Sequence, residues 1–142
     1  MREILFRGKR VDNGEWEYGA YIKATRHWHK RGIHEDWICS SVLQNGGYLN
    51  MVSKYPVTAD SIGQYTGLTD KKGEKIFEGD VLNFVWFSSF GVARDDRGVV
   101  RYDDEFCAFC VTSNAGGTWA WSEVEHAEVI GNIHDDAYLM ED

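Results

Sequence analysis

Apolar and polar residues alternate along much of the chain, in short runs separated by glycine-rich polar breaks. Trp16, Tyr18, Ala20 and Ile22 fall on one side of an extended segment and Glu15, Glu17 and Lys23 on the other. This two-residue period predicts a half-buried strand, with the aromatic set expected to face the core. The apolar residues between Glu3 and Arg7, followed by Gly8-Lys9-Arg10 and Asp12-Asn13-Gly14, predict a hairpin leading into it. Strand chemistry resumes from Trp37 to Leu43. Asn45-Gly46-Gly47 is then a strong turn signal before Tyr48 to Val52. Beyond Pro56, Ile62 to Thr66 reads as a short strand and Thr69 to Gly73 as a tight turn. Glu78-Gly79-Asp80 sits between apolar groups, as a bend feeding a strand does, with Val81, Asn83 and Val85 opposing Leu82, Phe84 and Trp86.

Further strands are expected at Gly98 to Tyr102, Phe106 to Thr112, Gly117 to Trp121 and Glu128 to Ile133. Their turns fall at Asp95-Asp96-Arg97-Gly98, Asp103-Asp104 and Asn114-Ala115-Gly116-Gly117. Thr25 to Asp36 has no sustained period and reads as an exposed loop. With no long stretch at helical spacing, the pattern predicts a mainly β chain with little helix, built as a small antiparallel barrel or sandwich.

Composition sharpens this picture. The 142 residues include 6 Trp, 7 Tyr, 7 Phe and 15 Gly against a single Pro, a mixture suited to strands joined by glycine turns. The length suits a single compact domain over residues 1–142. A net charge of -8 opposes sequence-independent binding to a phosphate backbone, which needs clustered Lys and Arg. Three cysteines are an odd number, too few for a disulfide framework, and fit a reducing cytosol. The residues Met1 to Arg7 lack the apolar core of a signal peptide, and no apolar run is long enough to cross a bilayer as a helix. The expectation is a cytoplasmic protein with no membrane association.

Candidate chemistry is sparse. His27 and His29 would point the same way on an extended segment, and His34 with Glu35 or Asp36 could complete a divalent metal site. Arg26, Lys30 and Arg31 in the same stretch oppose a cation, and the spacing fits no zinc finger or HExxH helix. Those same cations, with Trp28 to stack on a base, form a small basic patch that could meet nucleic acid. Cys107 and Cys110 make a lone CxxC inside an apolar run expected to be a strand, where positions three apart face opposite ways. The acidic groups Asp95-Asp96, Asp103-Asp104-Glu105, Asp135-Asp136 and Glu141-Asp142 fit solvated turns and the C-terminus, or a patch for a basic partner. Trp119 with Trp121, and Trp16 with Tyr18, are expected to share strand faces and pack in the core or in a self-association surface.

Three segments carry a family resemblance. They are Met1-Arg2-Glu3-Ile4-Leu5-Phe6-Arg7-Gly8, the stretch from Ile62 to Val81, and Glu128-Val129-Ile130-Gly131-Asn132-Ile133-His134-Asp135. The central stretch is the most specific, with Gln64-Tyr65-Thr66-Gly67-Leu68, Asp70, Gly73, Ile76 and Glu78-Gly79-Asp80 in register. Together they resemble the YopX-like family of phage and prophage proteins over nearly the whole chain. His27 to His34 and Trp86 to Arg94 match nothing in that pattern and read as local elaborations. The resemblance implies a mostly β protein from a phage or prophage. It also implies two sub-regions, an N-terminal β region over 1–66 and an SH3-like barrel over 67–142. It supplies no reaction and no catalytic residue. The residues of the signature also have a structural reading: Gly67, Gly73 and Gly79 answer turn requirements, and Glu78 and Asp80 are expected as exposed carboxylates flanking a bend.

The expected function is that of a non-enzymatic phage or prophage accessory protein, a module that self-assembles as a homo-oligomer or binds a host or phage protein. Two other classes compete with it. One is a nucleic-acid-associated accessory protein using the basic loop 26–31 (Arg26, Trp28, Lys30, Arg31). The other is a metal-dependent enzyme using the His27, His29 and His34 loop. No catalytic, cofactor-binding or metal residue is assigned from the sequence.

Overall fold

The structure is a computed structural model that describes residues 2–24, 35–44 and 48–141. The chain divides into two compact units, Met1–Gln64 and Tyr65–Asp142. The strands pair antiparallel in two sheets, and helix among the described residues is limited to three short 3₁₀ turns, Ala59–Ser61, Trp121–Glu123 and Ala137–Met140.

The first unit holds β1 (Phe6–Lys9), β2 (Trp16–Lys23), β3 (Asp36–Gln44) and β4 (Tyr48–Pro56), in the order β4-β3-β2-β1. The first two residues of β5 (Gly63–Thr69) pair with β1, Gly63 opposite Arg7 and Gln64 opposite Phe6. The expected first hairpin is present: the Arg10 amide donates to the Glu15 carbonyl at 2.9 Å, and Gly14 takes a φ of 71°. The predicted facing of β2 is reversed. Tyr18, Ala20 and Ile22 are exposed, while Glu17, Gly19 and Tyr21 lie on the half-buried side. Tyr21 packs its ring 5.8 Å from Phe6, and Glu17 lies 3.4 Å from the Arg10 guanidinium, so neighbouring side chains cover this face. Trp16 finds cover of a different kind, under the Arg7 guanidinium at 4.6 Å. Among the described residues of this unit, Ile38 and Val57 are the buried aliphatics. The predicted turn Asn45-Gly46-Gly47 lies outside the described residues.

The second unit continues β5 and adds β6 (Lys75–Phe77), β7 (Asp80–Phe87), β8 (Ala93–Asp103), β9 (Ala108–Ser113), β10 (Thr118–Ala120) and β11 (Glu125–Asn132). Its larger sheet runs β10-β9-β8-β7-β11, an open order whose end strands do not pair with each other among the described residues. Ile76, Leu82, Phe84, Val100 and Val111 form the buried core, with Trp86, Trp119, Trp121, Val124, Ala127 and Val129 packed against it. Val81 and Val99, facing each other across β7 and β8, are also buried, so β7 is covered on both faces in its first half.

One predicted turn is placed differently. Asp95, Asp96 and Arg97 belong to β8, paired with Val85, Phe84 and Asn83, and the chain reverses instead at Ser88 to Val92. Their charges sit on a strand because its outer half is open to solvent. Gly98 is there for close packing: a methyl group on it would come within 2.6 Å of a Val111 methyl and 2.7 Å of the Thr112 carbonyl oxygen.

The central signature is held by two buried carboxylates. Asp70 accepts backbone N–H groups from Lys72 at 2.8 Å and Glu74 at 2.9 Å on one oxygen, and from Val129 at 3.0 Å on the other. One side chain thereby closes the 70–74 turn and fastens it to β11. Burial alone would raise its pKa, but the N–H groups of Val129, Glu74 and Lys72 outweigh it and hold it below the ordinary carboxylate value. Asp80, expected to be exposed, is instead 2% exposed and accepts the Phe77 amide at 2.8 Å. Gly79 between them, at a φ of 87°, donates to the Val100 carbonyl and accepts from the Ile133 amide, both at 2.9 Å. Glu-Gly-Asp is therefore a buried three-way junction of β6, β8 and the end of β11.

Asp70→Ala should lower unfolding stability by about 2 to 4 kcal/mol in urea, because it removes the acceptor of three partly buried N–H groups. Asp70→Asn should cost less, since its carbonyl oxygen still serves the turn while its NH₂ confronts the Val129 N–H. The folded pKa of Asp70 lies below its unfolded value, so its contribution is complete above the unfolded pKa and is lost as pH falls through the folded one. The wild-type chain should therefore lose stability more steeply below about pH 4 than either variant. Gly98→Ala should cost about 1 to 3 kcal/mol in the same assay.

Candidate functional site

The residues proposed for metal or nucleic-acid contact, Arg26, His27, Trp28, His29, Lys30, Arg31 and His34, lie outside the described residues. At the end of this stretch, Glu35 is exposed. Asp36, offered as a further metal ligand, accepts the Tyr21 hydroxyl at 2.5 Å. That bond, with burial and the nearby Asp36 charge, pushes the Tyr21 pKa up to about 12. Among the described residues, no group of three or more His, Cys, Asp or Glu is placed to hold a metal ion.

The CxxC pair does not lie on one strand. Cys107 is not on a strand: it ends the β8–β9 turn, exposed, with a φ of 52°. Asp103 shapes that turn by accepting the amides of Glu105 at 2.9 Å and Phe106 at 3.1 Å. Cys110 lies buried in β9, where desolvation raises its pKa, and both thiols are free. Trp119 and Trp121 do not share a strand face, because the chain leaves β10 after Ala120 and Trp121 opens a 3₁₀ turn. Trp119 stacks instead on Trp86, with ring centroids 4.4 Å apart, across the sheet that carries the β7–β8 hairpin.

Two surfaces of the second unit are candidates. The first is a polar cleft of about 680 Å³ bounded by β7, β8 and the first half of β11. Its cations are engaged. Lys71 and Lys72 reach Glu128 at 3.0 and 2.6 Å, and Lys72 followed by Lys71 holds the Glu128 carboxyl below its usual range. Arg97 donates to the Leu139 backbone carbonyl at 3.0 Å and to the Asn83 side-chain Oδ1 at 3.4 Å. His126 stands at the rim with a φ of 51°, where β11 slips register between Glu125 and Glu128. The bulge is a bend in an edge strand, and the ion pairs knit β11 to the 70–74 turn. Chemically, the lysines and arginine of this cleft are taken up by the framework.

The second is the tip of the β7–β8 hairpin. From Val81 to Ala93 the chain carries no charge. Its tip is closed locally: the Gly91 amide donates to the Ser88 carbonyl at 2.8 Å, the Ser88 amide to the Val92 carbonyl at 2.9 Å, and the Val92 amide to Ser88 Oγ at 3.2 Å. Gly91 supplies the positive φ of 75°. This tight turn leaves Phe90 92% exposed, flanked by Phe87 at 55% and Val92 at 48%. Below the tip, the Trp86–Trp119 stack anchors the ribbon to β10. In the sequence, Trp86 to Arg94 falls outside the family pattern. The signal that marks it is two phenylalanines and a valine clustered around a Ser-Ser and Gly turn.

The first unit has an apolar surface of its own. A half-open cavity of about 470 Å³ is lined by Ile4, Leu5, Tyr18, Gly19, Ala20, Cys39 and Ser40, with no charged side chain among them. It lies on the exposed face of β2, where Ala20 pairs with Cys39.

Comparison with known proteins follows the same lines. The model of a family described as YopX protein matches residues 5–141. Among solved structures, protein EF1440 from Enterococcus faecalis is similar in fold at 20% sequence identity, with a TM-score of 0.50 over 99% of this chain and 100% of that one. No curated protein matches the chain in sequence.

Because the Tyr21 pKa is raised in the folded state, the stabilisation it reflects is complete below its unfolded value near 10 and is lost as pH rises through about 12. Absorbance titration of the phenolates should show one tyrosine ionising late, and that late step should be absent in Tyr21→Phe.

Proposed function

Since the chain belongs to the YopX protein family, whose pattern spans almost all of it, we propose that it is a phage or prophage accessory protein acting as a non-enzymatic interaction module in the bacterial cytoplasm. The observation that carries this reading is the hairpin tip. Soluble proteins bury phenylalanine or scatter it singly, so three apolar side chains grouped on a tight, uncharged turn form a surface suited to a partner. A phenylalanine held on a closed turn loses little conformational freedom on docking, which favours rigid insertion into a pocket. The polar cleft supports the same division of roles, since its ion pairs brace the framework.

The partner is a protein on this reading, either a host or phage protein or another copy of the chain. An uncharged tip on a molecule of net charge -8 is poorly matched to a phosphate backbone or an anionic bilayer. Among the described residues no helix is long and apolar enough to cross a membrane. In the second unit, the short, strongly paired strands around the Ile76 core support an SH3-like curl as part of this proposal.

Phe90→Ser should remove most of the interaction while changing unfolding stability by no more than about 0.5 kcal/mol, because the side chain is outside the core. The check is an affinity pull-down of wild-type and F90S chains from bacterial lysate, with nuclease treatment, alongside light scattering of each purified chain. Partner capture or self-association that is nuclease-resistant and lost in F90S is expected. Identical behaviour of the two chains would sink the reading, and nuclease-sensitive capture would redirect it to the basic loop 26–31.

A further inference from the structure

We propose that the open sheet face of the first unit is a platform for single-stranded nucleic acid, on which Tyr18 stacks against a base while Lys9 and Lys54 meet the phosphates to either side. The site is independent of the hairpin tip and uses only elements of the first unit. The net charge of -8 conceals an uneven distribution. Residues 1–64 hold 9 Lys and Arg against 7 Asp and Glu, whereas residues 65–142 hold 6 against 16. The acidic excess therefore belongs to the second unit, and the first is the half whose charge suits a polyanion.

Strand register gathers that charge on one face, because residues directly opposed in an antiparallel pair project to the same side. Arg7 lies opposite Tyr18 and Lys9 opposite Trp16 between β1 and β2, Ala20 opposite Cys39 between β2 and β3, and Cys39 opposite Lys54 between β3 and β4. An apolar floor two strands wide is thereby bordered by cations on β1 and β4, about 14 Å apart at the usual strand spacing. Among the described residues, no Asp or Glu occupies a strand position on this face of β1 to β4. Tyr18 is 46% exposed beside the half-open groove of about 470 Å³, which has room for a planar base and no charged side chain to desolvate. Trp16 and Trp37 lie along the same face, Trp16 with the Arg7 guanidinium 4.6 Å from its ring and Trp37 with the Lys54 ammonium at 5.6 Å. Every base has a π-face to lay on such rings, and the interleaved cations offset the charge of the backbone that follows it. A duplex hides its base faces and an acidic peptide brings no succession of planar rings, so the unpaired polynucleotide matches both components of the surface.

The test titrates the full-length chain into short fluorescein-labelled oligothymidine and oligouridine and reads anisotropy. Saturable binding to one or both is expected, the tighter of the two naming the strand type, with the matching duplex about ten-fold weaker or more. Tyr18→Ala should weaken binding about five-fold or more, and Tyr18→Phe, which keeps the ring, should restore it. Circular dichroism confirms that each variant folds. Lys54→Ala should reduce the slope of log affinity against log salt concentration by about 0.7, the loss of one phosphate contact. No binding to either oligonucleotide at low salt overturns the proposal. Binding that Y18A leaves intact, or that is lost only when Arg26, Lys30 and Arg31 are replaced by Ala, overturns the sheet face as the site. Equal affinity for duplex or for inorganic polyphosphate reduces the contact to charge and overturns the stacking platform, as does a preference for oligoglutamate. F90S should bind the oligonucleotides as wild type does, and Y18A should capture the same proteins as wild type, so the sheet face and the hairpin tip stand or fall separately.

Discussion

The carboxylate of Asp70 is the constraint around which the second unit is arranged. Its two oxygens take three backbone N–H groups, two within its own turn and one from Val129, 59 residues away in sequence. A buried charge is tolerable only when its hydrogen-bonding capacity is used by the protein, and here it is used by groups that would otherwise be orphaned at a turn and at a bulged strand. The Lys71 amide adds a bond to the Ala127 carbonyl at 2.9 Å, and the Lys71 and Lys72 side chains reach Glu128. Turn and strand are thus fixed to each other by backbone, buried charge and surface ion pairs at successive depths. With β11 placed, its pairing to β7 sets the edge of the sheet that carries the hairpin.

The Glu78-Gly79-Asp80 junction repeats the device a few residues later. Gly67, Gly73 and Gly79 do take positive φ, as turn chemistry required. The sequence also marked Asp70 and Asp80 as members of one pattern, but composition and local propensity read a carboxylate near a glycine as a solvated turn. Whether such a group is buried depends on which N–H groups the tertiary fold brings to it. That information lies in distant residues such as Val129.

Most strands were legible because period-two alternation and glycine breaks are local. The faces of β2 were not. Alternation separates Trp16, Tyr18, Ala20 and Ile22 from Glu17, Gly19 and Tyr21, and it says nothing about which side receives cover. Cover came to the side where Tyr21 meets Phe6 and Asp36, leaving an apolar face in the open. The Asp95-Asp96-Arg97 misplacement has a related cause, since a strand with one solvated side accommodates charge as readily as a turn does. Of the candidate site, the aromatic excess was visible and its use was not. Phe90 looks like core material until the turn at Ser88 to Val92 sets it outside.

That turn is closed entirely by its own hydrogen bonds, from Ser88, Gly91 and Val92 to one another. The tip therefore lends nothing to the framework and takes nothing from it beyond the two strands that present it. A change at Phe87, Phe90 or Val92 leaves Asp70, Asp80 and the Ile76 core as they were. Divergence in such a molecule can be sharply uneven: the scaffold is bound by its buried carboxylates, while the tip is free to be rewritten for each new seat without a fresh solution to folding.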